Sequence, residues 1–394
     1  MSSRKKILIA TDNFFPRWDG IVRFLYEIVP YIKKFYDITI LAPDFTDDFF
    51  TNDEEMSMFK KRFKGVKIVY FDTSSFYVND FSFAKINKST MRSYIKDSDV
   101  VWTHALGSIG SNAIEIANEE GITNIHYTHS FTWELVDSVL DFPVVKQITS
   151  YITKYYVFKK YKLLDKIIVP YKDMIETFKD LGVKSSYEVI PLGVNTNVFR
   201  SKGNIAKNAL NIKGPSIGYC GRLAKEKNID IVYKTFKKLK KEIDDLSLVI
   251  LGSGLSKYEK LFSNDNDVKY IKSTIFPQMV YRAMDVFLLP SYTETTSLTT
   301  LEAMSTKSVP IVSNVGYLGN YVESDYNGYI LDISNKSFNE SVDLFYDRAK
   351  LVLKNESLRK RLSRNARKTV KLNFNLDKTK IEINNLLKRC LNDN

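Results

Sequence analysis

Cysteine and histidine are scarce in this chain of 394 residues, which has two cysteines, Cys220 and Cys390, and three histidines, His104, His126 and His129. Two cysteines so far apart build no disulfide framework and no thiolate metal site. Three histidines leave no histidine-rich metal centre. Long apolar runs are missing too. No uncharged apolar stretch reaches the ~20 residues that a bilayer-spanning helix needs. The opening Met-Ser-Ser-Arg-Lys-Lys leads only into Ile7-Leu8-Ile9-Ala10, too brief for the core of a signal peptide. These absences predict a cytoplasmic protein with no cleaved leader and no metal. Low-complexity tracts and short repeats are also absent.

Charge is plentiful and uneven. The net charge is +12; residues 1–200 carry 26 Lys+Arg against 25 Asp+Glu, and the remainder 32 against 21, so +11 of it lies in the second half. Such a balance suits phosphate-bearing ligands, anionic membranes or nucleic acid, and equally a well-solvated surface. The length exceeds what one ordinary core accommodates, so two domains are the default.

The first half reads as strand-then-helix units. Ile7-Leu8-Ile9-Ala10 ends in a polar turn, and Gly20 to Lys34 has helical period with Ile21, Phe24, Leu25, Ile28 and Ile32 on one face. Short apolar runs follow at Ile38–Leu41, Val66–Phe71, Val100–Trp102, Ile122–Tyr127 and Ile167–Val169. The second half restarts the same grammar with strands at Ser216–Cys220, Leu248–Leu251, Val286–Leu289 and Val309–Val312, and a helix over 229–243. Alternation of this kind implies parallel sheets covered on both faces. A polar stretch from Arg200 to Gly214 is the candidate linker, and the final ~55 residues read as charged helix. In open parallel sheets, ligands bind beyond the carboxyl ends of the strands.

The strand-end loops carry the chemistry. After Val286–Leu289 comes Pro290-Ser291-Tyr292-Thr293-Glu294-Thr295-Thr296-Ser297-Leu298-Thr299-Thr300-Leu301-Glu302-Ala303-Met304. Ser297 is a good N-cap type, and the helix it opens presents amides near Leu298 and Thr299, with the positive end of its dipole, to a diphosphate. Glu302 suits a ribose diol and Glu294 sugar hydroxyls. After Ser216–Cys220, the run Gly221-Arg222-Leu223-Ala224-Lys225-Glu226-Lys227-Asn228 offers a guanidinium fork at Arg222 and a point charge at Lys227, both fit for phosphate. Gly252-Ser253-Gly254 is a tight turn or a close approach for a ligand. In Phe15-Pro16-Arg17-Trp18-Asp19-Gly20, Gly20 either opens a helix or lets a phosphate or sugar come near. His129 ends a strand, His104 lies on a neighbouring strand end and packs nearby, and His126 points into the core.

The segment Pro290–Met304 resembles the paired-glutamate signature of glycosyltransferase family four, the large retaining group with the GT-B fold. Gly221-Arg222-Leu223 followed by Glu226-Lys227-Asn228 resembles a second signature of that family. Two departures stand out. Family members usually have glycines where this chain has Thr295, Thr296 and Ser297, a variation found among relatives that glycosylate lipids. They also often have two glycines where this chain has Asp19-Gly20. The resemblance covers nearly the whole chain. It implies two Rossmann-like, doubly wound α/β domains facing a central cleft: residues 1–195 for the acceptor, with a returning helix at 375–394, and residues 214–374 for the nucleotide sugar. It implies catalytic roles for His129, Arg222, Lys227 and Glu294, with His129 facing the transferred sugar. Donor contacts fall to Gly20, Gly252, Phe276, Ser297, Leu298, Thr299 and Glu302. The implied reaction moves a hexose, from a UDP-glucose or GDP-mannose type donor, to a membrane-lipid hydroxyl such as a diacylglycerol or phospholipid; a growing glycan is the alternative acceptor. No cofactor and no metal are implied.

Two basic, aromatic runs bear on the acceptor: Phe59–Lys67, with Lys60, Lys61 and Arg62, and Val145–Lys172, with Lys159 and Lys160. Both suit an anionic membrane surface or, equally, amphipathic helices covering a sheet. The membrane reading puts the protein on the inner face of the cell membrane. A dehydrogenase is disfavoured, because no Gly-x-Gly-x-x-Gly follows the first strand. A non-catalytic membrane- or nucleic-acid-binding protein would not need Glu294, Glu302, Arg222 and Lys227 together, and nucleic acid is not an expected partner.

Overall fold

The structure is a computed structural model that describes residues 4–46, 53–78, 81–131, 143–201, 205–274 and 276–392. The chain divides into two compact units, Met1–Pro191 with Lys378–Asn394, and Leu192–Asp377.

In the first unit the order is β1 (Lys6–Ala10), α1 (Gly20–Ile32), β2 (Asp37–Pro43), α2 (Asp53–Arg62), β3 (Lys67–Phe71), β4 (Thr73–Val78), β5 (Phe81–Ala84), α3 (Lys88–Lys96), β6 (Val100–Thr103), α4 (Ser108–Glu119), β7 (Thr123–Tyr127), α5 (Pro143–Tyr161), β8 (Lys166–Val169), α6 (Asp173–Asp180) and β9 (Ser186–Val189). Seven strands form a sheet in the order β3-β2-β1-β6-β7-β8-β9, and every pairing in it is parallel. Its central strands are covered on both faces, which is why Ile7-Leu8-Ile9-Ala10 is apolar without alternation. The antiparallel hairpin β4–β5 lies outside this sheet and was not expected from the sequence.

Side chains fix how the strand ends meet the helices. The buried Asp12 carboxylate, just past β1, accepts from the amides of Gly107 (2.9 Å), Ile109 (2.7 Å) and Gly110 (3.1 Å) at the start of α4. That ties the end of β1 to the turn after β6 and satisfies donors the helix cannot satisfy itself. Asp19 caps α1, accepting from Ile21 (2.9 Å) and Val22 (3.0 Å).

The second unit runs α7 (Ile205–Ala209), β10 (Ser216–Cys220), a 3-10 turn at Lys225–Lys227, α8 (Ile229–Lys240), β11 (Ser247–Leu251), α9 (Ser256–Ser263), β12 (Val268–Ile271), α10 (Pro277–Arg282), β13 (Val286–Leu289), α11 (Leu298–Ser305), β14 (Val309–Ser313), β15 (Tyr329–Leu331), α12 (Phe338–Lys354) and α13 (Glu356–Asn373). Six parallel strands take the order β12-β11-β10-β13-β14-β15. Both units are therefore the Rossmann-like α/β domains of the GT-B fold.

The boundaries shift from those expected. The polar stretch 200–214 is no free linker. It contains α7, and Arg282 donates to the carbonyls of Val198 and Arg200, both at 2.6 Å, while Arg367 donates to Phe199 at 3.0 Å. Guanidinium contacts of this kind tie the start of the segment to the second unit, which begins at Leu192 rather than 214. The helix expected over 229–243 ends at Lys240, followed by a turn.

The last helix, α14 (Leu376–Asn392), packs within the first unit from Lys378 onward. Ile383, Leu386 and Leu387 are fully buried there, Tyr36 donates to the Asn384 side chain at 3.0 Å, and Thr379 donates to the Pro191 carbonyl at 2.9 Å. Truncating a buried leucine costs about 2–5 kcal/mol. Trp18 and Trp102 belong to the first unit, and the third tryptophan, Trp133, lies outside the described residues but within that unit's stretch of sequence. Leu387→Ala is therefore expected to lower the unfolding free energy of the tryptophan-detected transition by that amount, and its urea midpoint with it, although the substitution lies more than 250 residues along the chain from the nearest tryptophan. An unshifted midpoint would show that the first unit does not depend on α14.

Candidate active site

In the second unit, β10 and β13 are neighbours, so the loops leaving their carboxyl ends emerge side by side. The loop after β10 carries Arg222 and Lys227; the loop after β13 carries Glu294. Lys227 Nζ lies 2.7 Å from Glu294 Oε1, in a largely buried ion pair. Ser291, fully buried, donates to the same oxygen at 3.0 Å. The Tyr292 amide donates to the Glu226 carbonyl at 2.8 Å, a second tie between the loops. Arg222 is half exposed and pairs with Glu226 at 2.7 Å, and its carbonyl accepts from the buried Tyr219 hydroxyl at 2.7 Å.

Ser297 caps α11 as its residue type predicts, accepting from the Thr300 amide at 3.2 Å. The Tyr321 hydroxyl accepts from the Ser297 amide (3.2 Å) and donates to its carbonyl (3.3 Å), fixing the cap. The amides of Leu298 and Thr299 find no acceptor among the described residues. The Lys227–Glu294 pair thus shares the end of one sheet with a helix start whose dipole is positive. Glu302 lies buried within α11.

Two glycines are required by packing. Gly316, in the loop after β14, has φ +55°, and a Cβ there would collide with the Glu294 carbonyl oxygen. Gly252 has φ +148°, and a Cβ there would collide with the Gly221 carbonyl oxygen. The close approach at Gly252 is therefore to the neighbouring loop. Phe276 is exposed at the start of α10, with its amide on Thr274 Oγ1 at 3.0 Å, and no contact joins it to the Lys227–Glu294 pair. Ile275 lies outside the described residues.

The first unit presents a different set. His129 follows β7 and His104 follows β6, and the parallel pairing of those strands brings the two rings together, His104 Nδ1 to His129 Nε2 at 3.0 Å. His104 therefore does more than pack nearby. Phe24 of α1, Trp102 and Tyr127 surround the pair. His126 faces the other side of the strand, buried, with Thr103 Oγ1 at 2.8 Å, in the core as expected. Burial pushes the His126 and His129 imidazoles down to about 3 and holds His104 well below its usual value. The start of α1 is closed: the amides that Gly20 would lend to a phosphate, those of Ile21 and Val22, are held by the Asp19 carboxylate. Gly20 itself faces open space.

The basic runs divide by helix face. Lys60 and Lys61 are exposed on α2, but Arg62 is committed inward, 2.7 Å from Glu27 and over the Tyr26 ring. Lys160 is 4% exposed and paired with Glu115, so it does not reach a membrane surface. Lys159 is exposed, as are Tyr151, Ile152, Tyr155 and Tyr156 on the same helix, α5. Among the described residues no helix is long and apolar enough to cross a membrane, and no three His, Cys, Asp or Glu cluster to hold a metal. Reasoning from sequence missed Ser291, Gly316, Tyr321 and Asp19. Ser291 and Asp19 stood inside quoted motifs, without a role assigned to either.

Two family models tile the chain, "Glycosyltransferase Family 4" over residues 18–198 and "Glycosyl transferases group 1" over residues 201–369. Among curated proteins, the alpha-monoglucosyldiacylglycerol synthases of Acholeplasma laidlawii and Streptococcus pneumoniae are 24% and 23% identical, the matches spanning 82% and 85% of this chain and 84% and 80% of theirs. Among solved structures, Anabaena HepE in complex with UDP-glucose matches with a TM-score of 0.71 at 13% identity, covering 98% of this chain and 99% of that one, a likeness of fold.

The buried histidines make a prediction about pH. A folded-state value below the unfolded 6.5 means that the unfolded chain binds more protons as pH falls, so stability drops between pH 7 and pH 5, by up to about 2 kcal/mol for each such histidine. Asp12, whose burial raises its carboxyl, acts in the opposite sense and cancels when a variant is compared with its parent. His126→Asn is expected to lose less stability than the parent over that interval in urea titrations. Equal losses would mean that His126 is not held neutral by burial.

Proposed function

The chain belongs to glycosyltransferase family 4 and is a hexosyltransferase, and on that premise we propose that it moves a glucosyl group from a nucleoside diphosphate donor to the hydroxyl of a membrane glycerolipid, with retention at the anomeric carbon. The observation that carries this reading is the Lys227–Glu294 pair beside the open amides of α11. Charge grows on the leaving diphosphate as the bond from the anomeric carbon to the phosphate oxygen breaks. Arg222, Lys227 and the Leu298 and Thr299 amides offset that charge without a resident metal; preorganised donors of this sort supply a large share of many rate enhancements. The acceptor hydroxyl attacks from the same face, its oxygen bonds to the anomeric carbon, and its proton passes to the departing phosphate oxygen. Glu294 accepts from sugar hydroxyls, and Glu302 from the ribose.

The relatives named for a glucosyldiacylglycerol product support the acceptor, and the donor held by HepE supports UDP-glucose. The exposed tyrosines of α5 with Lys154 and Lys159, and the lysines Lys60 and Lys61, support a peripheral seat on an anionic bilayer. In this reading the lipid meets the first unit and the nucleotide the second.

Radiolabelled UDP-glucose and GDP-mannose, each offered to vesicles of diacylglycerol in anionic phospholipid and to soluble glycans, test the reading. Label is expected in lipid from UDP-glucose, unchanged by EDTA. Glu294→Ala and Lys227→Ala are expected to lower transfer by about 10²–10³-fold while keeping the parent's circular dichroism. Transfer to glycan alone would overturn the lipid acceptor. A folded Lys227→Ala enzyme at the parent rate would remove Lys227 from the reaction, and loss of transfer in EDTA would return the leaving-group charge to a metal.

A further inference from the structure

Two neutral imidazoles joined at 3.0 Å share one proton between the facing nitrogens, so one ring donates and the other accepts. The far side of His104 decides which. His104 is 1% exposed, and its Nε2 is buried with no hydrogen-bond partner among the described residues. Aromatic rings surround it: Trp102 at 4.4 Å between centroids, Phe24 at 5.6 Å and Tyr127 at 6.3 Å. If His129 donated through Nε2, His104 Nδ1 would be the acceptor and its proton would sit on Nε2, a buried N–H with nothing to receive it. If His104 donates through Nδ1, only a lone pair is left bare at Nε2. Orphaned buried N–H groups are rarer in proteins than under-satisfied acceptors.

We propose that His104 is a positioning residue that donates from Nδ1 to His129 Nε2, thereby locking His129 as the tautomer that carries its proton on Nδ1. His129 Nδ1 has no partner among the described residues, so the lock gives the carboxyl end of β7 a neutral hydrogen-bond donor. Such a group binds a hydroxyl or ring oxygen of a sugar; it does not act as a base, because its basic nitrogen is spent on His104. The ligand class, an uncharged oxygen of the transferred hexose, rests on the reading that His129 faces that sugar. Low proton affinity keeps the arrangement in place across physiological pH, since neither ring takes up a second proton there.

With only three histidines in the chain, long-range proton–nitrogen correlation spectra of the full-length protein are assignable by single substitutions. The parent is expected to show His129 and His104 each protonated at Nδ1. In His104→Phe, which keeps a ring but offers no donor, His129 is expected to lose that fixed pattern and kcat for transfer to fall about tenfold, with the KM for the nucleotide sugar changed less than twofold. His104→Asn, whose amide nitrogen can stand near the position of Nδ1, is expected to restore both the pattern and most of the rate. A parent spectrum with His129 protonated at Nε2 overturns the proposal, and that measurement needs no variant to fold. So does a His104→Phe enzyme with the parent rate where His129→Ala is impaired. A His129→Ala enzyme at the parent rate overturns the sugar-facing role and leaves the tautomer assignment to stand or fall on the spectra.

Discussion

Parallel strands that pair must end beside each other, and the rest of the second unit's chemistry depends on that adjacency. β10 and β13 are neighbours in the sheet, about 4.8 Å apart as paired strands are. Loops leaving them travel together, so Lys227 and Glu294, 67 residues apart in sequence, meet as an ion pair. Neither would be stable alone in so shielded a place, because a charge stripped of most of its water needs a partner. In the proposed function a diphosphate arriving there offers Lys227 a second acceptor, and the carboxylate released from full duty is left able to accept from hydroxyls. Ser291 and the packing of Gly316 against the Glu294 carbonyl hold the acidic loop in register while that exchange occurs.

The two units differ in the charge they bring to their strand ends. The second half of the chain holds +11 of the net +12, and its loops offer cations and a helix start. The first half is nearly balanced, and its strand ends offer neutral imidazoles framed by aromatic rings. An anionic nucleotide gains from the first kind of surface, and an uncharged sugar or lipid hydroxyl from the second. The division of labour in the proposed function follows from this contrast, with the hydrogen bond from His104 to His129 as its counterpart to the Lys227–Glu294 pair.

What was legible in the sequence was local. Strands announced themselves as short apolar runs, Ser297 as a cap, and the loop residues Arg222, Lys227 and Glu294 by lying just past strands. What was not legible required knowing which strands pair or which way a helix faces. His104 and His129 meet only because β6 pairs with β7. The basic runs left open a membrane surface or amphipathic helices covering a sheet, and which residue faces which way follows only from the helix, whose successive residues point about 100° apart. Lys159 therefore faces solvent while Lys160 turns inward to Glu115, and Arg62 leaves its lysine neighbours to reach Glu27. The stretch 200–214 looked like a linker because it is polar; its backbone carbonyls, which composition does not display, are what Arg282 and Arg367 hold.

The two helix starts differ in what they offer an anion. Both α1 and α11 follow a parallel strand of their sheet, and each would attract negative charge by its dipole alone. At α1 that place is filled by the Asp19 carboxylate, which takes two amides and adds its own negative charge. A phosphate approaching there would meet the repulsion of that carboxylate and find those two amides taken. At α11 the cap is a neutral serine that takes only the Thr300 amide, and the next cation, Lys227, stands on the adjoining loop. Asp19, standing where the resemblance leads one to expect a glycine, thus fixes the start of α1 as scaffold under Phe24, the residue that packs on both histidines.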